Sequence, residues 1–83
     1  MRYYYITFRS VTFAQRMQAA LDRSGIRCQI ARAPRDLTDL GCAYVVRVGT
    51  ADLTPALTTL HRESLDPVQI FLYQHGVYRE VGG

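Results

Sequence analysis

The sequence predicts an α+β domain with one antiparallel sheet and two helices. Three observations predict it. Short runs rich in aromatic and β-branched residues, YYYITF, CAYVVRV and VQIFLY, are bounded by breakers as strands are. Between them lie two segments whose apolar residues recur at helical spacing. Finally, 83 residues suffice for one hydrophobic core and are too few for two, so a single domain over residues 1–83 is expected.

The first strand is expected over residues 3–8, where no breaker interrupts the run. Thr12 and Gln15 fit a capping box, and Phe13, Met17, Ala20 and Leu21 then follow a helical period until Gly25. That places the first helix over about residues 13–24. Ile26, Cys28 and Ile30 alternate with Arg27, Gln29 and Ala31 as a half-buried second strand, which stops at Ala33-Pro34. After a loop, PRDLTDLG, the third strand runs from Cys42 to Val48, ended by Gly49. Thr54 caps a second helix with Pro55 at its first position, Leu57, Leu60 and Leu65 facing inward, and Asp66-Pro67 closing it. Residues 68–73 form a fourth strand, and Gln74-His75-Gly76 turns it into a short C-terminal strand at 77–81. The order βαββαβ with right-handed crossovers predicts a ferredoxin-like sandwich, both helices on one face of the sheet.

Composition excludes several classes. The apolar fraction of 48% with 20% charged residues is that of a globular chain. The sequence holds no run of about 18 apolar residues, and its start, MRYYYITFRS, has no apolar signal region, so a cytoplasmic, membrane-free protein is expected. The net charge of +3 rests on arginines scattered along the chain, without the basic stripe of a nucleic-acid footprint. Nucleic acid is therefore not an expected partner.

Cys28 and Cys42 lack the paired spacing of a zinc site or disulfide framework, so no metal and no cofactor is expected. Pairing the second and third strands would put the two sulfurs roughly 15 Å apart, beyond disulfide reach. Cys42, between Gly41 and Ala43, has small neighbours that leave a thiol accessible, and Arg35 in the same loop would favour its thiolate. The competing reading is a packing cysteine that alternates with Tyr44 and Val46. Cys28, flanked by Ile26 and Ile30, reads as core. Pro34 stiffens the loop and presents Arg35. His61 and His75 have no sequence-local carboxylate or cysteine at ligand spacing and read as surface or cap residues.

The stretch from Phe8 to Val48 resembles the selenium/sulfur carrier-like protein family, through Ser10, Val11, Ala14, Gly25, Pro34, Arg35, Thr38, Gly41 and Cys42. In that family's pattern a strand and a Ser-Val helix start precede Pro-Arg, a polar loop and a Cys-Gly pair. Here Ala43 replaces the glycine, and the segment from Arg35 to Cys42 is one residue longer. The resemblance implies that Cys42 carries sulfur or selenium as a persulfide or selenopersulfide, from a cysteine desulfurase-like donor to a protein acceptor. It makes Arg35 the thiolate or anion stabiliser and Pro34, Thr38 and Gly41 the partner loop. Such a protein is a carrier or accessory rather than an autonomous enzyme, since no general acid or base is identifiable.

Two alternatives stand beside it. One is an interaction or regulatory domain that dimerises through its sheet. The other is an RNA-binding module with Tyr3, Tyr5 and Tyr44 as its platform, weakened by a cysteine where a stacking aromatic is required.

Overall fold

The computed structural model describes residues 2–38 and 43–82. The chain forms β1 (Arg2–Phe8), α1 (Val11–Arg23), β2 (Cys28–Arg32), the single-turn α2 (Arg35–Thr38) and β3 (Tyr44–Gly49). A 3-10 turn (Thr50–Asp52), α3 (Leu53–Arg62), β4 (Ile70–Gln74) and β5 (Val77–Gly82) complete it. The sheet is five-stranded in the order β2-β3-β1-β4-β5, and every neighbouring pair is antiparallel. The expected short tail is thus an edge strand paired with β4 across a bulge between Ile70 and Phe71, which makes the sheet one strand wider than a βαββαβ unit alone.

Helix α1 begins two residues before the expected start. Ser10, in extended conformation, is the N-cap, and its hydroxyl accepts the Phe13 N–H at 3.4 Å. A side-chain acceptor just before the helix satisfies a donor that has no intrahelical partner. Gly25 adopts φ 75°, and the bonds Ile26 N–H to Leu21 C=O and Gly25 N–H to Asp22 C=O close the end as a Schellman motif. That motif takes Ile26 out of β2, which starts at Cys28.

Helix α3 is likewise earlier than expected. Asp52 is its N-cap, so Pro55 sits at the third helical position, still within the turn whose N–H groups lack helical acceptors. Its end repeats the Schellman pattern around Ser64 at φ 54°, with Leu65 N–H bonded to Leu60 C=O. A serine pays for the left-handed conformation that glycine adopts freely.

Alternation along the strands sorts the core. Ile6, Phe8, Val46, Val48 and Ile70 point to one face and pack with Ala14, Met17 and Leu21 of α1 and Ala56 and Leu60 of α3. Most of the hydrophobic stabilisation resides there, since this cluster is almost wholly withdrawn from water. Among the described residues the opposite face is covered at one end only, by α2, whose Leu37 is buried against Val45 and Phe71 with Tyr5, Ala33 and Tyr78 around them. Residues 35–38 of the expected loop thus form a helical turn, which packs on the face that α1 and α3 leave open.

Candidate functional site

Three connections converge at the end of the sheet where β1 and β2 finish. Here the backbone N–H of Ala33 donates to Ala43 C=O, and that of Ala43 donates to Phe8 C=O, both at 2.9 Å. The β2–β3 connection is thus tied across its base and hung on β1, two residues before the Ser10 cap of α1. A further clasp lies alongside: the buried Thr7 hydroxyl donates to Gln69 C=O and accepts from Gln69 N–H, each at 2.9 Å. The four bonds fix this end of the sheet, two between backbone groups alone and two through the Thr7 hydroxyl.

Of the residues singled out in the sequence, Pro34 leads into α2, its C=O accepting the Leu37 N–H at 2.9 Å, and Arg35 opens that helix on the exposed side. Thr38 is its last residue. Gly41 and Cys42 lie outside the described residues. The structure accordingly brings Pro34, Arg35 and Ala43 to one end of the sheet. Leu37, which anchors α2 on the sheet, was missed; its signal is an apolar residue alone in a polar loop.

Cys28 is elsewhere. It pairs with Val48 near the other end of the sheet, is half-buried, and packs against the main core. From Cys28 to Arg32, the last residue of β2, the strand spans about 13 Å. Burial, reinforced by the nearby Asp22 carboxylate, raises the Cys28 thiol above its ordinary value of 9.0. Both causes disfavour a thiolate. A cleft of about 570 Å³ opens beside it, lined by charges of both signs, Asp22 and Asp52 with Arg27 and Arg47. No group of three or more His, Cys, Asp or Glu side chains able to hold a metal ion occurs among the described residues. No helix among them is long and apolar enough to cross a membrane.

The tyrosines fall differently from expectation. Tyr44 pairs with Phe8 and faces the helices, with the Arg32 guanidinium 6.0 Å from its ring. It therefore shares no face with Tyr3 and Tyr5. On the open face those two are joined instead by Tyr73 of β4 and Tyr78 of β5. Tyr5 and Tyr73 stack at 5.8 Å and 8° between planes, and Tyr78 tilts against both, at 5.4 and 4.8 Å. Arg47 lies over Tyr3 at 4.4 Å and donates to the Gln29 side chain.

Comparison with curated proteins and with solved structures gives no match. A family model does match, over residues 3–72, which is most of the chain. The matched family is described as putative Se/S carrier protein-like, and this chain belongs to it.

Proposed function

We propose that this protein carries sulfur or selenium on Cys42, as a persulfide or selenopersulfide, between a cysteine desulfurase-like donor and a protein acceptor in the cytoplasm. The observation that carries the reading is membership of the carrier-like family over a match that includes Cys42. The state of the other thiol supports it. Cys28 is half-buried with its ionisation suppressed, whereas transfer by thiol exchange requires an accessible thiolate. The ties Ala33–Ala43 and Ala43–Phe8 support it as well, because a connection fixed at its base can enter a partner's pocket without disturbing the sheet. In this reading Arg35 favours the charged sulfur or contacts an anionic donor, and Pro34, Thr38 and Gly41 shape the loop that the partner meets. The scaffold is a ferredoxin-like sandwich widened by β5.

The step is a sulfur transfer. The Cys42 thiolate attacks the terminal sulfur of the donor's persulfide, forming a new S–S bond on Cys42 and releasing the donor cysteine as a thiolate. The acceptor then repeats the attack on the terminal sulfur held by Cys42.

Intact-mass measurement after incubation with a cysteine desulfurase and cysteine tests the proposal. Wild type and Cys28→Ser should gain sulfur that reductant removes, and Cys42→Ser should gain none. An adduct retained in Cys42→Ser, or absent from wild type, overturns it.

A further inference from the structure

The open face of the sheet has features that the carrier reading does not use. Four half-exposed tyrosines, Tyr3, Tyr5, Tyr73 and Tyr78, stand on one side of three neighbouring strands. Helices α1 and α3 lie on the opposite side, and among the described residues α2 covers this face only at the end near Val45 and Phe71. The polar groups among the rings, Arg47 and Gln29, are hydrogen-bonded to one another, and the guanidinium is already stacked on Tyr3.

We propose that this face binds single-stranded nucleic acid, with bases stacked on the Tyr5–Tyr73–Tyr78 cluster and on Tyr3, and with Arg47 meeting phosphate or base edges. Aromatic rings on an uncovered antiparallel sheet, interleaved with arginine, supply stacking that every base accepts together with charge that the backbone attracts. The sequence offers scattered arginines without a basic stripe and only Tyr3, Tyr5 and Tyr44 as platforms; the fold turns Tyr44 toward the helices and adds Tyr73 of β4 and Tyr78 of β5 to the open face.

Charge favours this occupant over a second copy of the chain. The net charge is +3 and every fixed cation is an arginine, the side chain that combines aromatic stacking with bidentate phosphate contact. On this face Glu80 accepts a hydrogen bond from the Gln69 amide at 2.8 Å and pairs across from Phe71, at the covered end, while Asp22 and Asp52 line the cleft beside Tyr3 together with Arg27 and Arg47. Tyrosine and arginine suit protein interfaces as well, but two copies of this chain would bring like net charge together, +3 on each. The exposed Val11 and Phe13 are on α1, and Val77 pairs with Gln74, out of alternation with the tyrosines.

The test is fluorescence anisotropy with labelled single-stranded RNA and DNA of about ten nucleotides, long enough for one such platform. Wild type should bind at low salt and weaken as salt rises from about 50 to about 200 mM. Tyr73→Ser should lose roughly ten-fold or more in affinity, while Tyr73→Phe, which keeps the ring, and Phe13→Ala, on α1, should bind like wild type. Arg47→Gln should weaken binding and reduce the salt slope by about one. Melting curves confirm that each variant is folded. Absence of binding by folded wild type to either oligonucleotide overturns the proposal, as does binding indifferent to both Tyr73→Ser and Arg47→Gln. A dimer in sedimentation that dissociates in Tyr73→Ser would give the face to a second copy instead.

Discussion

The face of the sheet under α1 and α3 presents Ile6, Phe8, Val46 and Val48, all shut from water, whereas the other face presents Tyr3, Tyr5, Tyr73 and Tyr78, all half-exposed. The same strands build both. Alternation assigns adjacent residues to opposite faces, so Tyr3-Tyr4-Tyr5-Ile6 is two interleaved patterns rather than one hydrophobic run. The covered face carries packing energy. The open one holds half-exposed amphipathic rings, and among the described residues a single helical turn is all that shields it. The packed core and the exposed rings are thereby separated by the thickness of one sheet.

Three measurements sharpen that contrast, beginning with the covered face. Phe8→Ala removes a fully buried ring from the main core and should cost about 3–5 kcal/mol, read as a fall in denaturant midpoint. A loss below about 1 kcal/mol would show that the core is not concentrated there. Leu37→Ala acts on the other side. It should cost about 2 kcal/mol, near the low end for a buried leucine, because only Val45, Phe71 and their neighbours can relax around it. Its signature is local: hydrogen exchange should rise at Arg35–Leu37 more than in α1. An equal rise in both would make α2 part of the global folding unit.

The smallest effect concerns Cys28. Its folded-state thiol is raised, first by burial and then by Asp22, so the native state holds the proton more tightly than the unfolded chain. The associated stability is fully present below the unfolded value, ordinarily 9.0, and is lost as pH rises through the folded one. Chemical denaturation from pH about 8 to about 10.5 should show this decline in wild type and a shallower one in Cys28→Ala. Parallel curves would mean that Cys28 does not titrate differently on folding.

Much of the fold was legible in the sequence because its signals are local. The strand runs, the helical stripe of Met17 and Leu21, and Gly25 as a stop each follow from one segment's own chemistry. What stayed hidden depends on the backbone or on distant partners. Ser64 ends α3 in a conformation that usually advertises itself with glycine, and Ser10 displaces Thr12 as cap because the hydroxyl two residues earlier meets the first free N–H. The face of Tyr44 depends on its register with Phe8, which one segment alone does not specify. At the candidate site, Pro34 and Arg35 were legible as a rigid, charged entry to the loop, while Leu37's place on the sheet required the fold.

The Ala33–Ala43 and Ala43–Phe8 bonds also make the β2–β3 connection a socket for interchangeable inserts. Because strand register is set below the tie, residues can be added above it at little thermodynamic penalty; even doubling a flexible loop costs only about 0.6 kcal/mol in closure entropy. Insertions above the tie would lengthen the connection while the strand register below it stays as it is.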